Sequence, residues 1–190
     1  MDTVALFSKA SRATAEIAAN VTESQLSGAT PCSEYNVKDL SNHIAGFYGM
    51  TAMAARKQPI AGGPGADIVG SDPAGVIPGM IEGAVAAWRE PGSTEGKTHF
   101  GPGEYDADFA ATITLFETVM HGWDLAKGTG QELQVSDEVG EAVFGIAQQI
   151  CNDDSRGGGH RFGAEIKVAD GASAFEKALG LSGRNPNWSA

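Results

Sequence analysis

An all-α, up-and-down bundle of four long helices is the fold this sequence predicts, and three observations predict it. Apolar residues recur every three or four positions over four long stretches, cap-forming residues stand at the heads of most of them, and strand-like alternation is scarce. Helices of that kind bury their stripes only against one another, so crossings of unequal length imply a bundle carrying additional short helices and long irregular crossings. A site in such a core lies between facing helices.

The first helix is expected over residues 4–26, where Leu6, Ala10, Ala13, Ile17 and Val21 keep helical spacing and Gly28 with Pro31 ends the run. The second starts from a cap at Asn36, with Asp39 at the third helical position, and runs to about residue 57 along Val37, Leu40, Ile44, Phe47 and Thr51. Residues 58–70 hold too much Gly and Pro for regular structure and read as a long surface loop. Asp72 and Pro73 form a cap and first-turn pair for a third helix through Trp88, with Pro78 and Gly79 as candidate breaks in its first turns. PGSTEGKTHFGPGEY reads as a second irregular crossing. The longest helical pattern follows over residues 106–127, with Gly128 as a left-handed cap. A fifth helix over residues 136–152 is capped by Ser136, with Asp137 and Glu138 in its first turn. The tail holds the glycine run GGGH, a short strand at residues 164–168 and a small helix at residues 172–181.

The 190 residues, 42% of them hydrophobic, suffice for one substantial core, so a single domain over residues 1–190 is expected. Lys and Arg total 13 against 24 Asp and Glu, and the net charge of -11 argues against a nucleic-acid or anionic-membrane surface. The N-terminus lacks a basic region followed by an apolar stretch, and no segment approaches the ~20 apolar residues that cross a bilayer, so a cytoplasmic address is the default. Cys32 and Cys151 stand in neither a CxxC nor a zinc-finger arrangement, which suits a reducing compartment, although a disulfide between them stays open.

The fourth helix contains LFETVMHGWDLAKGTG, which sets a glutamate, a histidine and an aspartate within an apolar pattern. An unpaired buried charge costs roughly several kcal/mol, so these groups need partners. At about 100° per residue, Glu117, His121 and Asp124 fall within a sector of about 60° beside Ile113 and Met120. On the second helix, His43 lies at the edge of the apolar stripe, near Leu40 and Phe47. A divalent cation answers the need: two neutral imidazoles and a carboxylate supply three ligands, with His43 joining Glu117 and His121, and a coordination position stays open as in catalytic zinc. Asp124 falls in the last turn, where the helix dipole disfavours a carboxylate by roughly 0.3–1 kcal/mol. It either supports a metal ligand, contacts a substrate, or pairs with an arginine such as Arg156, Arg161 or Arg184.

The ordinary alternative is that a histidine near a stripe is a satisfied boundary residue and that a Glu–His pair at i,i+4 is a surface interaction; spacing alone favours it. His99 and His160 lie in irregular segments and read as solvated, Cys32 as a buried thiol rather than a nucleophile, Trp123 as core, and Met50 and Met53 as packing.

Taken in order, TPCSEYNVKDLSNHIAG, ETVMHGWDLAKGTGQ and FGAEIKVADGASAFEKALGLSGRNPNW resemble actinobacterial DinB-like proteins, close to the subgroup related to the N-terminal domain of mycothiol-dependent maleylpyruvate isomerase. The resemblance implies a four-helix bundle holding zinc, or else nickel, on three side chains. His43 fills the histidine position of the second helix, Glu117 and His121 the paired positions of the later one, and Asp124 matches the HxWD pattern. It further implies a low-molecular-weight thiol, mycothiol, as cosubstrate: activated at the metal, the thiol attacks a small electrophile. The isomerase has an additional C-terminal domain with no counterpart here, so thiol S-transfer is expected before isomerisation, with Asp124 as the catalytic residue. A metal-dependent hydrolase and a non-catalytic ligand-binding bundle are the competing functions. The expected partners are the thiol and the electrophile, with no nucleic acid and no membrane, and with room for a homodimer.

Overall fold

The structure, a computed structural model, describes residues 2–59, 66–156 and 162–189. Helix α1 spans Thr3–Ala19, where Asp2 accepts a hydrogen bond from the Ala5 amide at 3.0 Å. It stops earlier than its apolar pattern suggests. Thr22 and Gln25 form a capping box of their own, which turns residues 23–25 into a short 3₁₀ segment. Helix α2 spans Val37–Ala55 and begins with the expected Asn36 and Asp39 box. Helix α3 spans Pro73–Trp88 from the Asp72 cap and continues unbroken through Pro78. Burial of Ile77 and Ile81 on either side holds the helix together despite the missing proline N–H.

The segment expected to be irregular contains a hairpin: β1 (Lys97–Phe100) pairs antiparallel with β2 (Gly103–Asp106). Gly101 takes a positive φ of 56° in the two-residue turn, and Pro102 supplies the negative φ after it, the pattern that suits a type II′ connection. Thr98 and Phe100 point inward, and the Thr98 hydroxyl donates to the Ala54 carbonyl, pinning the hairpin to the end of α2.

Helix α4 spans Ala107–Gly128 and is buried over most of its circumference. Gly128 remains helical rather than left-handed; its missing side chain admits the 29–30 loop, whose backbone a Cβ would crowd, and Gly130 takes the left-handed turn at φ 70°. Helices α1 and α2 each lie against both α3 and α4, which closes the four-helix bundle. Helix α5 (Asp137–Ile150), capped by Ser136, pairs with α6 (Ala174–Leu181) beside α4. Residues 164–168 form no strand. Their contact is with α6, through a single bond from the Ile166 amide to the Gly180 carbonyl. No described helix is long and apolar enough to cross a membrane.

Phe7, Leu40, Tyr48, Trp88, Leu115 and Phe116 anchor the core. Through it runs a ladder of polar pairs: Trp88 Nε1 donates to Thr51 Oγ1 at 2.9 Å, Thr51 meets Thr114 at 2.6 Å, and Tyr48 donates to Thr118 at 3.1 Å. The hydroxyls of this ladder are all satisfied, whereas the buried Ser11 Oγ beside it has no partner among the described residues.

Candidate metal centre

His43 in the second turn of α2 faces Glu117 and His121, which stand one turn apart on α4. Glu117 Oε2 lies 3.1 Å from His121 Nε2 and 4.0 Å from His43 Nε2, and one donor atom from each of the three residues falls within 4.8 Å of the others. Ligands arranged tetrahedrally about zinc at about 2.1 Å are separated by about 3.4 Å, so the 4.0 Å between His43 and Glu117 has to close by roughly 0.6 Å to bring this set to bonding range. His43 Nε2 is buried and has no hydrogen-bond partner among the described residues, an orphan that a shared cation would satisfy. The donor set of two imidazoles and a carboxylate fits such an ion.

The two histidines are held differently. Behind His121, its Nδ1 lies 3.0 Å from Asp124 Oδ2, and Asp124, fully buried, receives Arg184 Nε at 2.9 Å on Oδ1 and Nη2 at 2.7 Å on Oδ2. This arrangement places the proton of His121 on Nδ1 and turns Nε2 toward Glu117 and His43. His43 has no such backing: it stacks on Tyr35 with ring centroids 5.3 Å apart and meets the edge of His121 at 4.6 Å.

Electrostatics follow from the contacts. Burial and then the neighbouring His121 push His43 down to about 4, with Glu117 only partly opposing. Burial would also lower His121, but hydrogen bonds to Asp124 and Glu117 prevail and lift it to about 9. Asp124 falls to about 2 because Arg184 and His121 outweigh its burial, and the same balance, through His121, leaves Glu117 below its ordinary value. Without an ion, the site thus keeps a proton between two carboxylates where a ligating imidazole needs a lone pair.

The structure brings His43, Glu117, His121 and Asp124 together. Of the two described arginines among the candidates for Asp124, Arg184 reaches it, and Arg156 binds the Cys151 and Gly163 carbonyls instead. Asp124 has no exposed surface, so a direct contact with substrate is not what its position favours. His99 is exposed on β1, whereas His160 and Arg161 lie outside the described residues. Cys32 and Cys151 are free thiols, both raised chiefly by burial, Cys151 to about 11. Trp123 is core, with Lys127 over its ring at 5.7 Å. Sequence reasoning overlooked Tyr35; its signal was an aromatic immediately before the Asn36 cap.

Beside the donors, Ile44, Phe47 and Tyr48 line a narrow crevice shared with Glu117 and His121. Phe47 stands edge-on to Phe100 of the hairpin at 6.2 Å. On the other flank, Asn42 accepts the Ile68 and Val69 amides at 2.7 and 3.0 Å, which ties the segment before α3 to α2 next to His43.

The chain is similar to two proteins of Mycobacterium tuberculosis, "Uncharacterized protein MT0763" of strain CDC 1551 / Oshkosh and "Uncharacterized protein Rv0738" of strain H37Rv. Each is 28% identical over 178 residues, covering 87% of this chain and 88% of the relative. No solved structure matches the chain. The family model described as the mycothiol maleylpyruvate isomerase N-terminal domain matches residues 7–126, a stretch that includes all three donors and Asp124. With most of the bundle and the whole donor set inside that match, the chain belongs to the mycothiol maleylpyruvate isomerase N-terminal domain family.

Proposed function

We propose that the protein is a metal-dependent thiol S-transferase-like enzyme, in which His43, Glu117 and His121 hold a divalent cation, zinc or nickel, and a low-molecular-weight thiol, mycothiol by family, attacks a small electrophile. The observation that carries the reading is the buried His43 Nε2, without a hydrogen-bond partner among the described residues and facing a carboxylate and a second imidazole. Such a cation, when bound, lowers the pKa of a coordinated thiol so that it reacts as thiolate at neutral pH.

The chain's own residues divide the remaining work. Glu117 and the two imidazoles would supply three donors, and among the described residues no fourth metal-ligating side chain joins them. Asp124 orients His121 from behind and is a positioning residue. Tyr35 supports the His43 ring, and Phe47 with Ile44 gives the crevice an apolar wall that excludes water. In the transfer, a C–S bond forms between thiol sulfur and the electrophilic carbon, the thiol proton goes to solvent, and any leaving group departs with its electron pair.

The hydrolase alternative is weaker because it requires a free general base. Glu117 is occupied as a ligand, and both Asp124 oxygens are engaged by Arg184 and His121. Elemental analysis of purified protein followed by thiol titration tests the proposal. About one equivalent of metal, thiol binding and conjugate formation with a model electrophile are expected, with His121→Ala losing most of the metal. A protein that takes up no transition metal overturns the reading in favour of a ligand-binding bundle; metal and thiol binding without conjugate across a panel of electrophiles removes the transferase.

A further inference from the structure

We infer that Arg184, carried by the tail beyond α6 and lying outside the stretch matched by the family model, is a positioning residue for the metal: its guanidinium forks onto Asp124, which fixes His121. The inference rests on the metal reading above and adds to it a distant control.

Three features show the tail built to deliver this side chain. Gly183 turns left-handed at φ 83° and sits so close to Gly163 that a Cβ would overlap its backbone. Ser182 is buried, donating to the Leu179 carbonyl and approaching Met120 Sδ at 3.5 Å on the same helix as the site. The Arg184 amide then bonds the Leu179 carbonyl at 2.9 Å, and its side chain, 12% exposed, enters the bundle. Asp124 Oδ2 is shared by Arg184 Nη2 and His121 Nδ1, so the fork that sets the plane of the carboxylate also sets the direction of the imidazole. A ligating imidazole is neutral, which leaves Arg184 as the cation that balances Asp124 when His121 serves the metal. Lysine offers one ammonium point where two oxygens need two donors.

Zinc competition against a chromophoric chelator, together with cobalt(II) visible absorption, tests the inference on the full chain. The set comprises wild type, Arg184→Gln, Arg184→Lys, Asp124→Asn/Arg184→Gln and Arg56→Gln, the last removing an exposed pair with Glu90. Arg184→Gln should weaken zinc binding roughly 10–100-fold and shift the cobalt bands, with Arg184→Lys recovering only part. The double variant should fall in the same range as Arg184→Gln, because both changes break one path, and Arg56→Gln should match wild type. If Arg184→Gln does not fold, the double variant decides, since it buries no unpaired charge. Wild-type zinc affinity and cobalt spectrum in a folded Arg184→Gln, or in the double variant, overturn the inference and leave the metal reading standing; a wild type that binds neither metal overturns both.

Discussion

Loading the site with metal should release one proton over a wide span of pH, and the number is the informative quantity. His121 is held at about 9 and His43 at about 4, so between these values the metal-free site carries one proton, on His121. A ligating imidazole must surrender it. Raising the pH therefore strengthens metal binding, by tenfold per pH unit, until His121 titrates near 9. At pH 7 the proton costs the ion about 3 kcal/mol, a factor of roughly one hundred relative to a site already neutral. Titration calorimetry in buffers of different ionisation enthalpy counts the protons directly. One is expected at both pH 7 and pH 5.5. Two ordinary histidines would release about 0.5 at pH 7 and about 1.8 at pH 5.5, and proton counts following that pattern would refute the charge arrangement derived from Asp124 and Glu117.

The same proton affects folding without metal. A raised His121 stabilises the fold fully below about 6.5 and loses that contribution as pH rises through about 9, so urea unfolding of the metal-free protein should show falling stability from pH 6.5 to 9; a flat profile contradicts it. Gly122→Ala should destabilise by roughly 1–3 kcal/mol despite alanine's higher helix propensity, because the added methyl meets the Thr14 side chain where α1 crosses α4, and an unchanged denaturation midpoint would show that the helices part freely. Thr51→Val removes the acceptor of the Trp88 indole N–H in the core and should cost roughly 1–3 kcal/mol by chemical denaturation, whereas a neutral outcome would mean that the indole finds another partner.

Local chemistry made much of this architecture legible. The Asn36 and Asp39 box, the Asp72 and Pro73 start and the Ser136 cap each act within one turn of chain, and each appears where the residues place it. Elements determined by distant partners were less visible. The hairpin is short, and its inward Thr98 and Phe100 gain meaning only against α2 and Phe47. Gly128 looks like a helix stop until the 29–30 loop is seen lying on it. The trio on α2 and α4 was readable because helical period fixes which residues share a face, and Asp124 was readable as needing a partner. Its choice of Arg184 over Arg156 depended on how the tail folds back across 60 residues, which no local spacing encodes.

The hydroxyl ladder between α2 and α4 has a consequence for the height at which the helices meet. Thr51 with Thr114, Tyr48 with Thr118, and His43 with His121 are successive rungs of one antiparallel pair. Aliphatic surfaces alone tolerate a slip of one turn, about 5.4 Å, with modest repacking. Here such a slip would strand several hydroxyls among hydrocarbon, at roughly 1–3 kcal/mol each. The threonines thus act as dowels: by forbidding axial sliding they bring an imidazole from one helix level with a carboxylate and an imidazole on the other.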